Sequence, residues 1–438
     1  MHDAEYPDLA CDVLVIGGGP AGSTAAALLA RRGRDVVLIE KSEHPRFHIG
    51  ESLLPRNLAV LERLGVADEI RAIGVHKPGA EFVSDSCGRS VAFPFRLALA
   101  GGATHSYQVR RSEFDKILFD NATRAGARSL QRTRATDIER HPRHSVVTIR
   151  SGSGATRRIT ARYVLDASGR DSFLAPRLGE RRIDKRNNTA SVYAHYRDVT
   201  PREAGMAGYI SIHLAEDGWF WVIPLPDGVT SVGFVGTQAA FRDRSGDNAD
   251  FLEARIASSP TLSARLAGAT RCSEVTATGN YSYRAARSWD ENICLIGDAF
   301  AFVDPMFSSG VLMAMTAGEL GAGTADAWLD DPARGRVMAR QAERRLAGAI
   351  DRISWLIYRI NDPVMRGLFL SPRNTLRMRD GLVSLLAGNL DRDLRGALPV
   401  LAFKCVYRVA QAAERVRRAS RLLKATRISS QAMREEVA

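Results

Sequence analysis

The segment Val13-Leu14-Val15-Ile16-Gly17-Gly18-Gly19-Pro20-Ala21-Gly22 is an apolar run that breaks at a cluster of glycines. An Ala/Leu-rich helical stretch follows to Arg32, then a turn at Gly33 and a second apolar run, Val36 to Ile39, that ends in Glu40 and Lys41. The order is strand, glycine turn, helix, strand, acid, which is the pattern of a βαβ unit that binds a dinucleotide. A glycine pattern alone is weak, but this one follows a strand directly, opens a helix and meets an acid at the tip of the next strand. Gly17 permits the tight turn, Gly19 lets the backbone approach a pyrophosphate at the helix N-terminus, and Gly22 allows close helix packing. Glu40 suits a free ribose 2′-OH better than a phosphorylated one. The candidate cofactor-binding set here is Gly17, Gly19, Pro20, Ala21, Gly22, Glu40 and Lys41.

The chain has 438 residues, 45% hydrophobic and 25% charged, which predicts a soluble globular protein of two or three domains. Its formal net charge is +12, spread along Arg31 to Arg34, Arg177 to Arg186, Arg334 to Arg345 and Arg415 to Arg427. Such a surface favours an acidic partner or substrate; nucleic acid is not expected, because no recognition motif accompanies the arginines. Five cysteines, far apart and without a CxxC pair, argue against a disulfide framework and a zinc site and point to a reducing cytoplasm. No signal-peptide pattern and no transmembrane apolar run is present.

Further along, Leu53 to Leu64 and Ser112 to Ala125 have helical periodicity, the second opening on Ser112-x-x-Asp115, which reads as a capping box. Runs at Val146 to Ile149, Val192 to Tyr196, Tyr209 to His213, Trp219 to Ile223 and Thr230 to Val235 read as strands. Tyr163 to Asp166 and Ile293 to Ile296 are apolar strands that revisit the nucleotide domain, and after Gly310 the pattern is helical, amphipathic in Met338 to Ile360 and Leu401 to Leu423. The expected architecture is α/β: a discontinuous Rossmann-type nucleotide-binding domain from 1–75, 105–170 and 285–325, an inserted sheet-rich substrate domain from 76–104 and 171–284, and a helical C-terminal domain from 326–438.

Three segments carry a resemblance. Arg111-x-x-Phe114-Asp115-x-x-Leu118, Asp166-Ala167-Ser168-Gly169 and Cys294-Leu295-Ile296-Gly297-Asp298-Ala299 resemble, in order, the FAD signatures of the p-hydroxybenzoate-hydroxylase-like flavoproteins. The resemblance implies FAD as cofactor, with Asp298 bonding the ribityl chain, Arg111 near the pyrophosphate, and Asp166 and Gly297 in the cofactor site. No second glycine-rich strand-helix unit is present for a nicotinamide cofactor, so reduced flavin is expected from a separate reductase.

Gly218-Trp219-Phe220-Trp221-Val222-Ile223-Pro224 is the most distinctive segment. On an extended strand Trp219, Trp221 and Ile223 share one face, with Phe220 and Val222 on the other. The W-x-W-x-I-P pattern, Pro224 included, resembles that of the flavin-dependent halogenases, where the tryptophans separate substrate from flavin. Lys77-Pro78-Gly79, downstream of Gly50-Glu51-Ser52, resembles the same family's lysine element. A buried ammonium can polarise hypohalous acid, and a desolvated amine can form a haloamine; both make the halogen electrophilic. Phe302-x-x-Pro305-x-x-Ser308-x-Gly310 resembles a third family element, in which Pro305, Ser308, Ser309 and Gly310 form a halide and active-site loop.

Halogenases of free tryptophan carry a Glu before the serine of that last motif, and this chain has Phe307. The resemblance therefore points to the shorter enzymes of pyrroles and phenols, many of which act on rings tethered to an acidic acyl or peptidyl carrier protein. Electrostatic docking to a carrier and ordinary solvation of an Arg-rich surface explain the charge about equally. His44 and His48 are four apart but are separated by Pro45, so no metal site is expected. The leading expectation is a halogenase using FADH2, O2 and halide, with Lys77 essential, acting in secondary metabolism such as antibiotic biosynthesis. The rivals are a flavin monooxygenase or oxidoreductase of the same superfamily and a catalytically silent flavoprotein that binds a carrier.

Overall fold

In the computed structural model, residues 8–99, 101–179, 181–242, 244, 246–390 and 394–435 are described. The first sheet has the order Trp289–Asp290, Ile293–Leu295, Thr156–Asp166, Leu9–Ile16, Val36–Ile39, Arg128–Leu130, and the hairpin Thr133–Arg140 with Ser145–Ser151 joins it beside Thr156–Asp166. Its central strands run parallel. Parallel strands are covered on both faces and so need continuous apolar runs. Val13, Leu14, Val15, Val37, Leu38, Val164 and Leu165 meet that need and are all fully buried.

Strand register positions the turns. Ile16 stands opposite both Ile39 and Asp166, and Asp166 opposite Leu295. The strands thus end level, and the glycine turn after Ile16, Glu40, the Ala167-Ser168 turn and the Gly297-Asp298 turn gather at one edge of the sheet. Helix Pro20–Ala30 leaves that edge and packs against Arg111–Arg124 and Gly310–Asp330. A Cβ on Gly22 would lie 1.9 Å from the Gly17 carbonyl oxygen, so only glycine lets the helix start so close to the turn.

The second sheet has the order Ala301–Phe302, Thr276–Ala285, Arg181–Arg197, Thr230–Thr237, Gly218–Pro224, Ile210–Leu214, Gly79–Ser84, Arg89–Pro94. Alternation splits its side chains between two cores. Trp219, Trp221, Ile223, Tyr193, Ile210 and Ile212 pack with the C-terminal helices. Phe220, Val222, Val192, Ala194 and Phe234 pack under the helices Asn248–Ala257 and Pro260–Leu266. A separate ribbon pairs Val75–Lys77 with Ser106–Gln108, Lys77 opposite Ser106.

The helices follow the periodicity of their sequence with two differences. Pro332–Ile357 buries Ala339, Ala342, Leu346, Ala349, Ile353 and Leu356 at spacings of three and four. Leu394–Glu435 instead buries Phe403 and Tyr407, the latter edge-on to Trp355, and leaves Leu401, Val409 and Val416 exposed. The expected capping box at Ser112 is absent: the helix starts at Arg111 after Arg110 with no side-chain cap, and Asp115 is taken by the Arg111 fork at 2.8 and 3.0 Å. A buried guanidinium binds a carboxylate more strongly than a neutral backbone N–H does. Gly22→Ala is expected to lower stability by about 1–3 kcal/mol, read as a fall in melting temperature; an unchanged melt would contradict this account of the turn.

Candidate active site

A cavity of ≈ 910 Å³ lies along the level strand ends of the first sheet and is closed on its far side by the tryptophan face of the second. At one end Glu40, 3% exposed, accepts the Gly18 N–H at 2.8 Å on Oε2 and the Ser42 N–H at 2.9 Å on Oε1. Two backbone donors fix the carboxylate, with Arg46 Nε 3.6 Å from Oε1, and leave it acceptor capacity at the cavity wall for a ribose hydroxyl. Gly17, Gly19, Pro20 and Ala21 line the wall beside it, with Lys41 paired to Asp171 at 2.5 Å. A Cβ on Gly19 would meet nothing nearer than the Arg46 guanidinium at 3.6 Å. The helix N-terminus is thus open to an anion with a cation poised above it.

Arg46 has no sequence motif to mark it, and its guanidinium is turned to this end. Arg111 is engaged by Asp115 and by the Ile49 carbonyl at 2.9 Å, so it braces the Ile49-Gly50-Glu51 loop while still lining the cavity. Burial alone would raise the Asp115 carboxyl, but Arg111 and Arg46 overcome it and hold the group below the usual range.

Asp166 does not reach the cavity. Fully buried, it accepts the Ser168 N–H at 2.9 Å and the Leu174 N–H at 2.6 Å. It shapes the turn that presents Ala167, Ser168 and Gly169 to the cavity and contributes no side-chain oxygen of its own. Gly297 is also outside the lining; with φ +60 it turns the chain so that Asp298 lines the cavity. Burial pushes the Asp298 carboxyl up to about 6 against the pull of Arg111 and Arg170. A carboxyl there can donate and accept hydrogen bonds, which fits the polyol of a ribityl chain. Glycine turn, open helix N-terminus, Glu40 and Asp298 together fit FAD.

The far half of the cavity is apolar. Trp219, Trp221 and Ile223 line it with the indoles 6.0 Å apart; Pro224, at the strand end, does not. Trp221 Nε1 donates to Ser231 Oγ at 3.0 Å, and a Cβ on Gly233 would lie 2.3 Å from the Trp221 ring, so a neighbouring strand fixes the indole by hydrogen bond and by shape. Pro305, Ser308 and Gly310 line the opposite wall, Gly310 opening a 21-residue helix. Ser309, the residue before that helix, is 3% exposed and outside the lining. Phe307 turns away into an aromatic cluster with Phe82 and Phe369. His48 lines the cavity, held down to about 4 chiefly by the Arg111 charge. Among the described residues no group of His, Cys, Asp and Glu could hold a metal.

Lys77 lies behind this wall. It is 1% exposed, and its Nζ donates to Ser52 Oγ at 2.7 Å and to the Leu53 carbonyl at 2.8 Å, 5.3 Å from the centre of the Phe95 ring. Burial lowers its pKa to about 7. Lys77 is not itself in the lining; Ser52 and Glu51 are. Glu51 is 2% exposed and its Oε1 meets His195 Nε2 at 2.9 Å. The exposed ring of Phe47 stands against Tyr193 and His195 at 6.2 and 6.1 Å. The sequence offered no periodic or spacing signal for His195, because the pair joins a loop of one sheet to a strand of the other.

Residues 10–319 match the FAD binding domain family. A flavin-dependent halogenase of Armillaria mellea is 34% identical over 335 residues, covering 72% of this chain and 64% of that protein. The 1H-pyrrole-2-carbonyl peptidyl-carrier protein chlorinase of Pseudomonas fluorescens is 31% identical over 347 residues, covering 74% of this chain and 76% of that protein. Among solved structures, a flavoprotein/dehydrogenase of Cytophaga hutchinsonii superposes with a TM-score of 0.83 at 29% identity, covering 92% of this chain and 100% of that one. The myxobacterial chondrochloren halogenase superposes with a TM-score of 0.76 at 31% identity, covering 88% and 91%. Several curated relatives are longer, and the chain spans 58–64% of their length. By family match, identity and coverage, this chain belongs to the flavin-dependent halogenases, within the FAD-binding flavoproteins.

Proposed function

We propose that the chain is an FADH2- and O2-dependent halogenase that installs chlorine or bromine on an electron-rich ring, a phenol or a pyrrole. The observation that carries this reading is Lys77: a lysine enclosed behind an apolar cavity wall, its Nζ joined to the cavity through Ser52. Reduced FAD with O2 and halide supplies hypohalous acid when the cofactor is bound. The chain's own part is to keep Trp219, Trp221 and Ile223 between the flavin end and the ring, to exclude water, and to hold Lys77 behind the wall where its Nζ acts on the cavity through Ser52. Because the Nζ titrates near neutrality, the ammonium that polarises hypohalous acid and the amine that forms a haloamine are both populated at working pH.

Secondary metabolism in the cytoplasm, a separate flavin reductase, and an acidic carrier protein presenting the ring complete the proposal. It draws on the net charge of +12 and on the likeness to a chlorinase of carrier-bound pyrrole. The likeness to a flavoprotein/dehydrogenase favours a second reading, oxidation without halogen. Intact-mass analysis with a reductase, NADH, FAD and bromide separates the two: a bromine-bearing product supports the first, and gain of oxygen or loss of two hydrogens without halide dependence supports the second.

Lys77→Ala is expected to reduce halogenated product at least about 10²-fold with FAD binding retained; full halogenation by that variant sinks the assignment. Lys77 also carries a stability signature. Its pKa falls from 10.5 to about 7 on folding, so it opposes folding in full below about pH 7, and the penalty is relieved as pH rises from there towards 10.5. The melting temperature of Lys77→Met minus that of wild type is therefore expected to be larger at pH 6 than at pH 9, and a gap independent of pH would contradict the burial of a titrating amine.

A further inference from the structure

Glu51 presents an unmet demand at the site. Its side chain is 2% exposed and lines the cavity; Oε1 is taken by His195, and Oε2, also buried, has no hydrogen-bond partner among the described residues. A buried carboxylate oxygen without a donor costs more than a lost neutral hydrogen bond, and the cavity that Glu51 lines is one place from which a small turn of the side chain lets it take a donor. Three contacts place the pair at the halogen end. Ser52, the next residue, receives the Lys77 hydrogen bond. Tyr193, two residues from His195 on the same face of its strand, stands 5.7 Å from Trp221, and the Glu51 charge acts on its phenol. Phe47, with its exposed ring against His195 and Tyr193, marks the side open to solvent.

We propose that Glu51, held by His195, is the residue that selects the substrate: its Oε2 accepts a hydrogen bond from an O–H or N–H on the aromatic ring. The assignment deepens the halogenase reading and rests on it for the identity of the reaction. For a phenol, the ring π pair forms the carbon–halogen bond while the halogen–oxygen pair leaves on oxygen as hydroxide. The phenolic proton passes to Glu51, leaving a halogenated dienone. The ring C–H proton then goes to the hydroxide, making water, and the proton held on Glu51 returns to the oxygen as the ring rearomatises. The sum is ArH plus HOX giving ArX plus H2O, and the carboxylate is unchanged. A ring of equal size and electron density without the donor leaves Oε2 unpaired and is rejected.

The test is equilibrium binding of 1-naphthol and 1-methoxynaphthalene to the FAD-loaded protein by calorimetry, for wild type, Glu51→Gln and His195→Gln, with flavin content checked by absorbance. Wild type is expected to bind naphthol about 10-fold or more tighter than its methyl ether, and both variants to lose most of that ratio while retaining flavin. Equal affinities in the wild type, or no binding of either probe, overturn the assignment. So does a Glu51→Gln variant that loses flavin or keeps the wild-type ratio, since either puts the carboxylate to another use. Bromination assays on the same samples keep the two claims apart: naphthol selectivity without brominated product retains the recognition pair and discards the halogenase reading.

Discussion

Ile16, Ile39 and Asp166 stand level across three parallel strands, and the site is a consequence of that register. A strand displaced by one residue would move both its turn and its side chains to the wrong face. With the register held, four chain segments far apart in sequence turn at one sheet edge, and a dinucleotide crevice forms where parallel α/β sheets form one. Gly22 is the tightest point of the arrangement, its Cα pressed against the Gly17 carbonyl. Asp166, expected as a ligand, serves the same constraint from inside by tying the Ala167-Ser168 turn into the sheet.

The cavity then divides by how it treats charge. At the nucleotide end charges are paired or fixed: Glu40 by two backbone N–H groups, Arg111 by Asp115 and a carbonyl. At the other end the buried ionisable groups are left partly unmatched. Among the described residues Lys77 has hydrogen bonds but no carboxylate partner, and Glu51 has a histidine on one oxygen alone. A structural site tends to neutralise such groups, because a lone buried charge costs several kcal/mol. Groups left poised in this way are available to bind something else, and here they stand near the indoles of Trp219 and Trp221, the N–H of Trp221 held by Ser231.

Family likeness and geometry bear on different questions. Identity of 31–34% over most of the chain shows the family, whereas the walls of the cavity bear on what fits inside it. Phe307 illustrates the difference: where free-tryptophan enzymes carry a carboxylate, this chain turns a phenylalanine into a cluster with Phe82 and Phe369, away from the cavity. Glu51 and His195 offer a carboxylate from another wall.

The sequence alone determined the βαβ unit, the sorting of Trp219 and Trp221 from Phe220, and the helical C-terminal region, because these depend on spacing within one segment, where a strand alternates by two and a helix by 3.6. It misread Ser112 because Asp115 pairs with Arg111 within the same helical turn, and it assigned Asp166 to the cofactor by likeness, where the side chain ties down the turn at Ser168 and Leu174. Nothing in it marked Arg46 or His195, and it marked Lys77 by likeness without showing that the side chain lies behind the cavity wall, held by Ser52. Those facts belong to pairs 25 to 144 residues apart, brought within hydrogen-bonding distance by the ribbon that carries Lys77 and by the second sheet that carries His195, which no local pattern of residues records.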